Sequence, residues 1–277
     1  MRRPACWGER PAVMGVVNLT PDSFSDGGRF NRLDLALKEV SKQVSAGADV
    51  LDLGAQSTRP GAEEVGAEEE IRRLLPSLSA IRSAHPQLII SVDTFLAPVA
   101  EAALEAGADW INDVSGGRRD PAMHPLVAEA GCPYVLMHSR GDSSTMDACT
   151  DYGAQGVVTG VLNELRQSRD RALAAGLRRE QLIWDPGLGF AKTNAQNLEL
   201  LCRLEELQRD DIPLLLGPSR KRFIGAVLDE PRARARIWGT AAVCARAVAA
   251  GVQVLRVHDV GPISQVVRMA AAVQRTA

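Results

Sequence analysis

Short apolar runs punctuate the chain at residues 13–17, 50–53, 88–92, 110–111, 134–137, 182–184, 213–216 and 254–257, and polar-rich stretches of helical period separate them. Continuous apolar runs of this length suit strands covered on both faces, and the intervening stretches are long enough for crossover helices. Leu33, Ala36, Leu37, Val40 and Val44 form one apolar stripe that ends near Gly47. A second stripe runs through Ile71, Leu74, Leu75, Leu78 and Ile81, with Pro76 expected as a kink. Eight strand-then-helix units in series predict an α/β protein, a single (β/α)8 TIM barrel over residues 1–277, with long loops after strands one and two. An open sheet is the alternative.

Active sites of such barrels sit at the carboxyl ends of the strands. The residues that follow the eight runs are Asn18, Gly54, Asp93, Asn112, His138, Asp185, Gly217 and His258. Each alone reads as a turn or cap residue; together at one rim they describe a polar site. The segments TPDSFSDGGRFN and AQSTRPGAEEVG mix glycine and proline with hydroxyls and an arginine, a composition that predicts binding loops over that rim. GPSRKRF after the seventh run and RVHD on the eighth put Ser219, Arg220, Lys221, Arg222, Arg256 and His258 where many barrels bind phosphate. Arg256 and His258, two apart on an extended strand, are expected on one face as a paired anion site.

Composition narrows the partners. A net charge of −2 with mixed signs shows no footprint for nucleic acid or an anionic membrane, which leaves small molecules. The amino terminus lacks the apolar region of a signal peptide, and no run approaches the roughly 18 residues of a membrane span. Five cysteines, none in a C-x-x-C pair, argue against a disulfide framework and a structural zinc, and fit a reducing cytoplasm. DPGLGFAKT lacks the spacing of a nucleotide loop, and no Ser/His/Asp or Cys/His constellation for covalent catalysis stands at the rim.

The motifs MGVVNLTPDSFSDGG, STRPGA, SVDTF, INDVSGG, LMH, DPGLGFAK, SRKRFIG and RVHDV, in this order between about residues 14 and 260, resemble those of the dihydropteroate synthases. The resemblance implies a barrel, usually dimeric, that condenses 6-hydroxymethyl-7,8-dihydropterin diphosphate with 4-aminobenzoate to give 7,8-dihydropteroate and diphosphate, and that sulfonamides inhibit. Matched position by position, Asp93, Asn112, Asp185 and Lys221 would hold the pterin. Asn18, Thr58, Arg256 and His258 would hold the diphosphate, with Asn18 also contributing to a magnesium ion otherwise bound by substrate oxygens. Phe24, Arg59, Pro60, Phe190, Ser219, Lys221 and Arg222 would form the 4-aminobenzoate site. Asp93, Asp185, Lys221, Arg256 and His258 would then be the catalytic set, acting by fixed charge on an early-breaking bond to diphosphate.

Three departures from the family pattern stand out: Arg222 where some relatives have serine, Ala55-Gln56 for a common Gly-Glu, and a short leader before the first strand. The first bears on the contacts to the 4-aminobenzoate carboxylate. Two other readings share part of the pattern. A corrinoid-dependent pterin methyltransferase domain would need Asp93, Asn112 and Asp185 but not STRP, SRK and RVHD together. A catalytically silent pterin binder would not need the intact diphosphate set.

Overall fold

The computed structural model describes residues 2–20, 29–56 and 64–275, with the side chains of the first helix described from Leu33 onward. In chain order the elements are β1 (Ala12–Asn18), α1 (Arg29–Ser45), β2 (Val50–Gly54), α2 (Ala67–Ala84), β3 (Ile89–Asp93), α3 (Ala97–Glu105), β4 (Trp110–Asp113) and α4 (Met123–Ala130). Next come β5 (Tyr134–Met137), α5 (Gly156–Ala174), β6 (Leu182–Asp185), α6 (Asn194–Cys202), α7 (Leu204–Leu207), β7 (Leu215–Leu216), α8 (Arg222–Leu228), α9 (Ile237–Ala249), β8 (Val254–Val257) and α10 (Val260–Gln274). All eight predicted strands are present, and every pairing between them is parallel. The strand order β6-β5-β4-β3-β2-β1-β8-β7 is that of a barrel cut between β6 and β7. A Trp184–Leu214 bridge, with the Trp184 N–H on the Pro213 carbonyl at 2.8 Å, all but closes the cut. β7 is shorter than its apolar run because Pro213 has no N–H to give a ladder, and the N–H of Leu214 donates to the Gln253 side chain at 2.6 Å.

Alternation along the strands sorts the side chains into two populations. Val13, Val17, Leu51, Leu53, Ile90, Val92, Ile111 and Trp184 face outward and pack with the helical stripes in the larger core cluster. The inward population begins at the amino end as an apolar layer containing Met14, Val50, Ile89, Trp110, Ile183 and Val254. Two residues further along the same strands the interior turns polar, with Asp52, Ser91, Asn112, Asp185 and Arg256. Register then draws Asn18, Gly54, Asp93 and Asn112 into one row across β1 to β4. The fold thus delivers ionisable groups to the carboxyl-end rim above a dry floor. In α2, helix continues through Pro76, and the buried face takes Glu70 along with Leu74, Leu78 and Ile81.

Candidate active site

A guanidinium between two buried carboxylates organises the interior. Arg256 Nε donates to Asp52 Oδ2 at 2.6 Å and its terminal nitrogen to Asp93 Oδ2 at 2.7 Å, while Asn112 Nδ2 donates to the same Asp52 oxygen at 3.1 Å. The second oxygens of Asp52 and Asp93 are buried without a hydrogen-bond partner. Burial pushes the Asp93 carboxyl up to about 7, against the pull of Arg256 and with a further push from Asp52 and Glu70. Arg256 is held above the ordinary arginine range: burial opposes its charge, but the Asp52 and Asp93 carboxylates outweigh it. Arg256 is therefore committed to carboxylates in this state, and His258 lies just past the end of β8, its Nδ1 2.9 Å from Ser219 Oγ. Arg256 is thus turned to Asp52 and Asp93, and His258 to Ser219.

The loop after β6 supplies the facing wall. Asp185 Oδ1 accepts from the Gly187 N–H at 2.7 Å, and the Asp185 carbonyl accepts from the His138 N–H at 2.8 Å. Lys192 stands behind the loop and spends its three N–H bonds on the carbonyls of Gly187 and Phe190, at 3.0 and 2.9 Å, and on His138 Nδ1 at 3.0 Å. Three acceptors require the ammonium form and leave His138 neutral, its Nε2–H 3.1 Å from Glu164, which also binds Arg140. Burial and the neighbouring Lys192 push the imidazole down to about 3. Burial also lowers Lys192 to about 7, Asp185 and Glu164 resisting. A reciprocal cap between Thr193 and Gln196 starts α6 directly afterwards, which fixes the far end of the loop.

Gly187 has φ +68°, and a Cβ there would lie 2.0 Å from the His138 carbonyl oxygen. The contact is backbone, so no rotamer relieves it. Gly187→Ala should lower stability by more than about 1–3 kcal/mol, read as a fall in the urea midpoint at unchanged slope. A midpoint within error of the parent would show that the loop shifts freely.

Lys221 closes the ring of charges. Its ammonium lies 4.4 Å from the Phe190 ring centroid, and burial lowers it to about 8 despite the attraction of Asp185 and Asp93. Ser219 is buried against His258, whereas Arg222 reaches outward to Asp147 at 2.6 Å. Arg220 adopts φ +62° and forks onto Asp259, tying the β7 and β8 loops together. Asn18 is half-buried at the end of β1. Phe24, Thr58, Arg59 and Pro60 lie outside the described residues. A cavity lined by Gln56, Phe95, Val114, Arg119, Met146 and Phe190 adjoins the charged cluster through Phe190. Sequence reasoning missed Asp52 and Lys192. The signal for Asp52 was an ionisable residue two positions after Val50, on the inward phase of β2.

The family described as pterin binding enzyme matches residues 14–258. A dihydropteroate synthase of Synechocystis is 47% identical over 273 residues, which span 97% of this chain and 92% of the relative. Among solved structures, a dihydropteroate synthase of Clostridium difficile in the presence of pteroic acid superimposes with a TM-score of 0.90 at 38% identity, covering 97% of this chain and 98% of the other. A Yersinia pestis dihydropteroate synthase in complex with a sulfonamide drug gives 0.89, again at 38% identity, over 97% and 95% of the two chains.

Proposed function

The chain belongs to the pterin-binding enzymes and, among them, to the dihydropteroate synthases, and from that premise we propose how its residues divide the condensation of a pterin diphosphate with 4-aminobenzoate. It is a transferase of folate synthesis. Asp93, Asn112, Asp185 and Lys221 hold the pterin: the carboxylates accept from its amino and ring N–H groups, and Lys221 donates to its carbonyl. The observation that carries this assignment is the buried, unpartnered Asp93 Oδ1, an acceptor with no donor from the protein, on the rim row with Asn112.

The bond from the pterin methylene to the diphosphate oxygen breaks first, its electron pair leaving with the diphosphate. The amine nitrogen of 4-aminobenzoate then attacks the methylene carbon and loses a proton. Asp93 and Asp185 stabilise the positive pterin by their charge, and Arg256, His258, Asn18 and Thr58 bind the diphosphate. Phe24, Arg59, Pro60, Phe190, Ser219, Lys221 and Arg222 surround 4-aminobenzoate, the site at which sulfonamides compete.

Magnesium fits the donor set as an ion held mainly by substrate oxygens. Among the described residues no cluster of three His, Cys, Asp or Glu side chains could hold a metal, yet Asn18, in register with Gly54 at the rim, offers an amide oxygen. When bound it supplies positive charge to the departing diphosphate.

One barrel domain carries the activity, and a second copy of the chain covers the apolar residues exposed on three adjoining helices, Val227 and Leu228 on α8, Trp238 on α9, and Met269 and Val273 on α10. Trp238 is 78% exposed, far beyond what a lone surface aromatic needs. No helix among the described residues is long and apolar enough to cross a membrane. The five free cysteines fit a cytoplasmic location.

The reading predicts diphosphate release from the pterin diphosphate that depends on 4-aminobenzoate, in a coupled assay with magnesium. Binding of the pterin without turnover would favour a silent binder, and no turnover with methyl transfer instead would favour the methyltransferase.

A further inference from the structure

Asp52 lies one layer below the rim, in the row beneath Gly54 and Asp93. It is fully buried on β2, paired in register with Ser91 on β3, and a single oxygen, Oδ2, receives both Asn112 Nδ2 and Arg256 Nε. An asparagine amide is nearly symmetric in shape, so packing alone does not decide which end faces a ligand. Hydrogen bonding decides it. A carboxylate paired with a guanidinium can only accept, so it draws the NH2 of Asn112 toward the barrel floor and leaves the carbonyl oxygen for the rim. The same oxygen holds the stem side of the Arg256 guanidinium, which directs its outer nitrogen to Asp93.

We propose that Asp52 is a positioning residue for pterin recognition, which fixes the amide of Asn112 with its carbonyl toward the ligand and holds Arg256 against Asp93. The inference rests on the pterin-site reading given above. Its position makes it a strong constraint: Asp52 is 0% exposed and Asn112 3%, so no water from bulk competes for the bond. Without the acceptor, the amide is free to turn and present a donor where the ligand also presents donors.

The test removes the acceptor and then asks whether a neutral acceptor of the same shape replaces it. Binding of a non-reactive pterin is measured by calorimetry for the parent, Asp52→Ala, Asp52→Asn, Asn112→Ala and the double variant Asp52→Ala with Asn112→Ala, with urea midpoints alongside. Asp52→Ala takes the acceptor from both Asn112 Nδ2 and Arg256 Nε and should weaken binding by roughly 100-fold, whereas Asp52→Asn keeps an oxygen that can accept from both and should lose about tenfold or less. Once Asn112 is alanine there is no amide left to orient, so adding Asp52→Ala should cost clearly less than it does in the parent. Asp52→Asn binding no better than Asp52→Ala, or an equal loss from Asp52→Ala in both backgrounds, would overturn the proposal. Where Asp52→Ala fails to fold, the closer-sized Asp52→Leu against Asp52→Asn carries the same question, with the same outcomes. Failure of the parent itself to bind the pterin would instead remove the site reading.

Discussion

Asp185→Asn should abolish most pterin binding while leaving the protein folded. Asp185 is 5% exposed at the end of β6, and the residue that replaces it has the same shape. An asparagine Oδ1 can still accept from the Gly187 N–H, so the turn that starts the loop keeps its anchor. What changes is the other arm of the side chain: an acceptor becomes a donor, facing ligand N–H groups that now have no partner. Truncating one side of a buried charged hydrogen bond costs about 2–5 kcal/mol, which is roughly 30- to several-thousand-fold in affinity. Burial already holds the Asp185 carboxyl above its ordinary range, with the Gly187 N–H and Lys221 pulling it down. Removing its charge therefore relieves desolvation and takes a counter-ion from Lys221, whose already lowered proton affinity should fall further. Calorimetry with a pterin and a urea melt separate the two outcomes; unchanged affinity with normal folding would remove Asp185 from the pterin site.

The fold was legible because strands buried on both faces are written as continuous apolar runs, and each of the eight runs became a strand. Edges moved by a residue or two where a ladder needed a polar terminal residue, as at Asp93 and Asp185, or could not use a proline, as at Pro213. The rim residues were legible for the same reason: a polar residue directly after a dry strand has few other places to be. Asp52 was not, because within VLDLG it interrupts a strand rather than ending one, and only the alternation from Val50 shows that it points inward with the polar layer. Lys192 was hidden differently. Its partner His138 stands just past β5, 54 residues away, and is held in turn by Glu164 from the middle of α5, and no local pattern announces a chain of contacts of that kind. Arg256 illustrates the limit of spacing arguments: period two placed it correctly on the inward face, but spacing gave no sign that Asp52 and Asp93 would pair with it.

The same partnership makes Arg256 a residue of the fold as well as of the site. Arg256→Met keeps much of the apolar stem but strands two carboxylates, Asp52 at 0% and Asp93 at 6% side-chain exposure. Breaking a buried ion pair from one side costs about 3–5 kcal/mol, and the lower end applies because Arg256 itself is 23% exposed and its surroundings admit some water. The loss should depend on pH in a definite direction. Asp93 titrates near 7 in the folded protein against 3.8 when unperturbed, so between those values the folded chain binds a proton that the unfolded chain has released. Its contribution to stability is therefore greatest at acid pH and declines as pH rises through that window. Without the guanidinium the Asp93 carboxyl moves higher still, since Arg256 is the attraction that opposes its burial. Each further unit adds about 1.4 kcal/mol to the part of the penalty that protonation can remove. Urea midpoints of the parent and Arg256→Met should thus differ most at about pH 8 and draw together toward about pH 5, where the stranded carboxyl carries its proton. An equal difference at both pH values would mean that lost packing, and not an uncompensated carboxylate, is what Arg256 prevents.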